Sequence, residues 1–332
     1  MVESRPLTAD EGLFPPQMGS SRADTAARKT ADHFPGMSTL SASAPEILRD
    51  AETGAEITKW SGTAPSPWQL FCGQANQALR RIDDESIDCV VTSPPYFWLR
   101  DYQVDGQIGQ EETVENYVNA IVEVMAEVLR VLKPSGTLFL NLGDTYYSGK
   151  GRPQGSDRKS SKRRIGLRAV DKSGGLGIGL QKKSVIGIPW RVAIEMSERN
   201  WVLRSPIVWR RPHSLYEPAK DRPSRSYEHI FFFVKSRYYF FDKSGLPQDG
   251  TEDVWTIPAH TKLNGAKDTA PFPDELVEQC LAVGCPEGGT VLDPFCGSGT
   301  TMRVALQRGC PAIGVELNSS FCDYIRRELA LL

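Results

Sequence analysis

No apolar run in these 332 residues approaches the roughly 18 that a bilayer span requires, and the N-terminus lacks the apolar stretch of a secretory signal. A membrane segment and export are not expected, and the expected location is cytoplasmic. Histidine is scarce, at four residues, and the seven cysteines form no C-x-x-C pair and no zinc-type spacing with them. Reduced thiols and no metal are the expectation. No internal repeat is visible. Net charge is nearly absent at −2, but its distribution is uneven: between Lys150 and Lys183, eleven Lys or Arg against two Asp give +9 and leave −11 for the rest. Such a segment suits either polyanion contact or a solvated loop, and charge alone leaves both open.

With 40% apolar residues the chain can build a sizeable core. Residues 1–66 carry no sustained period and are expected to form a disordered tail, with the folded domain at 67–332. Residues 68–72 read as a strand, 74–82 as a helix and 87–91 as a second strand. Val118, Ile121, Val122, Met125, Val128 and Leu129 recur at helical spacing, so 114–132 is expected to be a helix that Lys133-Pro134-Ser135-Gly136 ends. Residues 137–142 follow as a buried strand, and 148–184, rich in Gly, Lys and Arg, read as a basic flexible insertion. Further on, 189–200 reads as a helix, 201–209 as a strand, and 228–235 with 238–241 as a hairpin through Ser236-Arg237. This alternation predicts an α/β fold, a mostly parallel sheet with an antiparallel edge hairpin.

Two motifs carry chemistry. Thr92-Ser93-Pro94-Pro95-Tyr96 follows the apolar run ending at Val91. Consecutive prolines fix two φ angles and remove two donors, so the strand must end in a stiff corner. A hydroxyl, proline carbonyls and an aromatic face suit a planar group bearing an exocyclic NH2, such as a nucleobase. The second motif, Asp293-Pro294-Phe295-Cys296-Gly297-Ser298-Gly299-Thr300-Thr301, reads as strand end, glycine turn and helix start. The next strand closes on Glu316, 19 residues after Gly297, where a carboxylate suits the cis-diol of a ribose. A third glycine at the dinucleotide spacing and a Walker lysine are both missing, which disfavours a pyrophosphate. Asp293 is a candidate for an ammonium or a ribose, as for an adenosine ligand with an amino-acid head.

Together, Ser-Pro-Pro-Tyr and Asp-Pro-Phe-Cys-Gly-Ser-Gly-Thr-Thr resemble the amino-group DNA methyltransferases, across about residues 68–329. The order, with the tetrapeptide first and the glycine loop last, resembles the circularly permuted β group, and Ser93 in the first position resembles its N4-cytosine members. The resemblance implies a Rossmann-like fold, S-adenosyl-L-methionine as cofactor, and double-stranded DNA with a flipped target base as substrate. It also implies a cognate restriction endonuclease where such an enzyme belongs to a restriction system. Tyr96 would stack on the base, Ser93 and the Pro94 carbonyl would accept from its amino group, and Pro95 would stiffen the turn. Asp293, Phe295, Cys296, Gly297, Ser298, Gly299 and Thr300 match the cofactor loop, Glu316 the ribose acid, and Phe272 the segment closing over the methionine portion.

The chain departs from that pattern twice, with Asp268 where a histidine is frequent and Gln74 where an aspartate follows Gly73. Gln74 still offers a donor and an acceptor to an adenine edge. No covalent intermediate is needed, so Cys89 and Cys296 have no nucleophilic role, and His229 is expected to be a hydrogen-bonded structural residue. Lys162, Arg163 and Arg164 in the insertion, and Arg210, Arg211, Arg222 and Arg225 near His213 and Tyr216, read as phosphate contacts. Adenine-N6 methylation, RNA modification, a catalytically silent nucleic-acid-binding protein and a nicotinamide oxidoreductase remain alternatives.

Overall fold

The computed structural model describes residues 43–63, 65–147, 180–181, 183–212, 219–248, 252–259 and 272–332, all within the unit Leu40–Leu332. In chain order the elements are β1 (Glu46–Arg49), β2 (Glu56–Gly62), β3 (Trp68–Cys72), α1 (Ala75–Leu79), β4 (Ile87–Thr92), α2 (Val114–Val131) and β5 (Leu132–Leu142). There follow α3 (Ile188–Glu198), β6 (Val202–Arg210), β7 (Tyr227–Val234), β8 (Val254–Thr256), α4 (Asp274–Gly284), β9 (Val291–Asp293), α5 (Thr300–Gln307), β10 (Ala312–Glu316) and α6 (Ser319–Leu329). None of the described helices is long and apolar enough to cross a membrane.

The strands form one sheet in the order β1-β2-β3-β10-β9-β4-β5-β7-β6-β8. Its centre, β3 to β5, is parallel, while β1, β2 and β7 pair antiparallel on the flanks. The last two strands of the chain therefore sit between its third and fourth. β4 leads on to β5 on one side while β9 leads to β10 on the other, so the carboxyl ends of β4 and β9 border the crevice where such sheets hold ligands.

Strand alternation divides the core between the two faces. Val90, Phe231 and Phe233 join α2 and α3 on one face, and Cys89, Val91 and Phe232 join α4 and α5 on the other. Thr113 caps α2 by accepting from the Asn116 N–H at 3.0 Å. The helix ends at Val131, as expected, and residues 133–136 bulge against β4, where pairing jumps from Ile87–Leu132 to Cys89–Thr137.

Three expectations are corrected. Residues 46–62 are two strands of the sheet, so the domain begins well before residue 67. Their polar-looking sequence hides burial on both faces of the sheet: Ile57 joins the cluster with α2 and α3, Trp60, three residues on, joins the opposite cluster, and β2 covers the edge of β3. The hairpin through Ser236-Arg237 does not form, because both edges of β7 are taken, by β5 and β6. The antiparallel partner on that side is β6. Tyr239 and Phe241 instead lay their rings on Phe232, with centroids 5.8 and 5.9 Å away. The helix expected over 74–82 is also shorter, at α1.

Ile57 is fully buried, so Ile57→Ala is expected to cost ~2–5 kcal/mol in urea unfolding, whereas an unchanged midpoint would return this segment to a tail.

Candidate active site

The two motifs meet at the carboxyl ends of β4 and β9, which pair in parallel through Cys89–Val291 and Val90–Leu292. Two residues on, the Thr92 hydroxyl donates to Asp293 Oδ1 at 2.6 Å. Thr301 Oγ1 donates to Asp293 Oδ2 at 2.7 Å, and the Phe295 N–H donates to Oδ1 at 3.0 Å. Asp293 is buried, and desolvation raises its carboxyl to about 6 against these three donors. Expected to face a ligand, its oxygens instead spend three of roughly four acceptor positions on the protein.

The glycine loop turns through Gly297 at φ +53° and Gly299 at +82°, left-handed conformations that favour glycine. Gly299 opens α5, and a Cβ there would stand 3.0 Å from Ile325. Glu316, ending β10, accepts from the Gly297 N–H at 2.9 Å and the Asn318 N–H at 2.8 Å. Burial raises its carboxyl to about 7. Gln74 precedes α1, two residues past Cys72, the end of β3 that pairs with Glu316, and its amide rests on Gly106, where a Cβ would stand 2.3 Å from Nε2. Ser298 and Phe295 are partly exposed in the loop, and Thr300 begins α5 as a buried residue.

Cys296 packs as the sequence leads one to expect of a loop cysteine with no nucleophilic role. It is buried with its thiol pushed up by desolvation, and Sγ would be 3.0 Å from a Cβ at Gly314. Only its backbone belongs to the loop, where its N–H donates to the Val315 carbonyl at 2.9 Å. Phe272 is likewise buried in the apolar cluster beneath α4. The Arg303 guanidinium grips Asp274 with two bonds of 2.7 Å, joining α5 to α4 just after Phe272.

At the corner, Thr92 is level with Leu140, which sets Ser93 beside Asn141. Ser93 Oγ donates to Asn141 Oδ1 at 3.2 Å, and Asn141 Nδ2 donates to the His229 carbonyl at 3.1 Å. A hydroxyl whose proton is committed this way keeps its lone pairs for an incoming donor. The Tyr96 hydroxyl donates to Glu228 Oε2 at 2.6 Å, and Arg211 pairs with Oε1 of the same carboxylate at 2.7 Å. Burial first, and then Glu228, raise the Tyr96 phenol well above its usual range. The Tyr117 hydroxyl donates to the Pro95 carbonyl at 2.8 Å and so holds the second proline; Pro94 is buried.

The basic residues fare differently. Arg210 is exposed at the end of β6, and the Arg222 guanidinium lies 3.7 Å from the Tyr146 ring centroid. Arg211, expected at phosphate, turns inward to Glu228. Arg225 donates to the Asp144 carbonyl. Lys162, Arg163, Arg164, His213, Tyr216 and Asp268 lie outside the described residues. His229 is corrected in detail: Nδ1 is buried with no hydrogen-bond partner among the described residues, and the ring packs on Trp190 and Tyr227 at 5.4 Å each. No group of three or more His, Cys, Asp or Glu suited to a metal occurs among the described residues.

Sequence reasoning missed Asn141, Glu228 and Gly143, the last of which packs its bare backbone against the Tyr96 ring. Asn141 carried a signal, as the one polar residue in the apolar run 138–142, and buried polar groups are informative.

Fold and site together define an open α/β protein with a glycine loop and a strand-end acid beside a stiff, acceptor-bearing corner. A family model described as DNA methylase, of the N6/N4 type, matches residues 87–327. Type II methyltransferase M.XycI of Xanthomonas campestris pv. cyanopsidis is 41% identical over 76% of this chain and 84% of its own. Type II methyltransferase M.SmaI of Serratia marcescens is 36% identical over 79% and 90%. The solved PvuII DNA methyltransferase (cytosine-N4-specific) superposes with a TM-score of 0.59 at 20% identity, covering 79% of this chain and 92% of that one. The M1.HpyAVI–SAM complex gives 0.52 at 16% identity, over 79% and 98%. The chain belongs to the DNA methylase family, and its fold is that of the S-adenosylmethionine-dependent methyltransferases.

The raised Glu316 carboxyl sets a pH dependence. If Glu316 is the ribose acid that the resemblance implies, its ionised form accepts the ribose hydroxyls, and affinity for S-adenosylmethionine, measured by calorimetry, should weaken up to about tenfold per pH unit below about 7. The ligand-free fold shows the opposite sign, because a proton held only when folded adds stability that fades as pH rises from about 4.5 toward 7. A profile unchanged by Glu316→Gln would contradict this assignment.

Proposed function

We propose that this chain is a site-specific DNA methyltransferase that methylates the exocyclic N4 amine of cytosine, with its motifs in circularly permuted order. The cofactor is S-adenosyl-L-methionine, which supplies a sulfonium-bound, electron-poor methyl group. The reading rests chiefly on one observation, that Ser93 at the β4 corner stands next to the glycine loop through the Thr92–Asp293 bond. The permuted order is supported by β9 and β10, last in the chain, lying between β3 and β4. The cytosine assignment draws on Ser93, on the cytosine-N4-specific PvuII neighbour and on the Type II methyltransferases that resemble this chain.

The amine lone pair of cytosine is delocalised into the ring and is a poor nucleophile. With its own proton given to Asn141, Ser93 Oγ accepts one amino hydrogen and the Pro94 carbonyl accepts the other, which favours the pyramidal nitrogen of the transition state. Tyr96 supports the flipped base by stacking, and the rigid corner holds its nitrogen in line with the methyl. After transfer one amino proton leaves to solvent, so no covalent enzyme intermediate is required. Glu316, Gln74 and the loop 295–300 hold the nucleoside, and Phe272 borders the methionine portion. Arg210, Arg222, Lys162, Arg163 and Arg164 are proposed phosphate contacts, the last three within the basic segment. A partner endonuclease fits this reading where the enzyme serves a restriction system.

Duplex DNA incubated with labelled S-adenosylmethionine and digested to nucleosides should yield N4-methylcytosine. Ser93→Ala should lower kcat ~10²-fold while cofactor binding is kept. N6-methyladenine as the sole product would overturn the cytosine assignment.

A further inference from the structure

The buried ion pair behind Tyr96 has no part in the chemistry described so far. Glu228 is the second residue of β7 and Arg211 follows β6, each more than a hundred residues from the corner in sequence. Yet the Glu228 carboxylate receives the Tyr96 hydroxyl at 2.6 Å on one oxygen and the Arg211 guanidinium at 2.7 Å on the other. Both charged side chains are largely buried, at 24% and 13% exposure, and Asn141 Nδ2 reaches the same carboxylate oxygen at 3.3 Å. Burying such a pair costs desolvation, which good geometry and further hydrogen bonds must offset. A phenol has one proton, and the shorter contact gives it to Glu228. Arg211 also lies over the Trp209 ring, 5.6 Å from its centroid, which fixes the guanidinium from behind.

The tyrosine ring has a second restraint. A Cβ at Gly143 would stand 2.4 Å from Tyr96 Cε2 and 2.9 Å from Cδ2, so the ring rests against bare backbone at that residue. Held at its hydroxyl by Glu228 and backed by Gly143, the half-buried ring has its position set before any base arrives. A free tyrosine at the corner would have to be ordered during binding, at a cost in side-chain entropy.

We propose that Glu228, braced by Arg211, is the positioning residue for the Tyr96 ring, and that Arg211 serves this brace instead of a DNA phosphate. The brace acts on the base-stacking site of the methyl-transfer reading and rests on that reading for its consequence. Displacing a positioned group by about 1 Å costs on the order of 10²-fold in rate, and that loss should appear in kcat without loss of cofactor affinity.

The test combines Glu228→Gln, Glu228→Ala, Arg211→Ala and Tyr96→Phe in the full-length chain. Glu228→Ala is expected to lower kcat ~10–100-fold, and Glu228→Gln, which keeps volume and an acceptor, should restore most of it. In the Tyr96→Phe background the Glu228 substitutions should change kcat by less than about twofold, since the group they act through is gone. Arg211→Ala should leave the salt dependence of DNA binding unchanged, and a slope reduced by about one would assign Arg211 to a phosphate. Effects that multiply in the double variants would also overturn the brace. An arm independent of activity uses ring-labelled tyrosine in NMR, with Tyr96 identified by its loss in Tyr96→Phe. Its resonance should move in Glu228→Gln and in Arg211→Ala, and a stationary resonance refutes the brace even if the wild-type chain proves to methylate no DNA.

Discussion

The site depends on one hydrogen bond, from Thr92 Oγ1 to Asp293 Oδ1, across 201 residues of sequence. Parallel pairing of β4 with β9 brings the two strand ends together, and the buried carboxylate then fixes the turn that leaves each strand. A carboxylate held at 2% exposure is tolerable only with its lone pairs filled. Thr92, the Phe295 amide and Thr301 fill three of them, and each comes from a different part of the site: corner strand, loop and helix α5. Shift any one and a buried acceptor is left open, at a cost of ~1–3 kcal/mol. The Pro-Pro corner and the glycine loop thus behave as one rigid piece.

From that piece the remaining groups hang in order. The β10 strand carries Glu316 beside the loop, where Gly297 and Asn318 orient its oxygens. β5 brings Asn141 level with Ser93, and β7 brings Glu228 to the Tyr96 hydroxyl. The antiparallel flank that reads as a mere sheet edge is therefore what steadies the aromatic side of the corner. Cys89 and Cys296 are buried among apolar neighbours, which suits the proposed transfer, since it needs no enzyme nucleophile.

Much of this was legible in the sequence because backbone demands are written locally. Two prolines force a corner, glycines mark left-handed turns, and the helical repeat over 114–132 places α2 to within a residue. The parts that were not legible depend on partners distant in the chain. β1 and β2 lack apolar runs because β1 lies at the sheet edge with both faces mostly wet, so only Ile57 and Trp60 betray burial. The aromatic run 238–241 has strand propensity, but β7 had no free edge to offer it. Arg211 looked like a phosphate ligand because charge is visible in a sequence and its counter-charge, Glu228, becomes its neighbour only through the β6–β7 register.

The most direct measurement is the paired response of Thr92→Val, which keeps shape and removes the hydroxyl. If corner and loop are one piece, this single change, made on the corner strand, should weaken S-adenosylmethionine binding by calorimetry and lower the methyl-transfer rate on DNA together. Loss of rate with cofactor affinity intact would show that the two motifs are positioned independently, and would contradict the account.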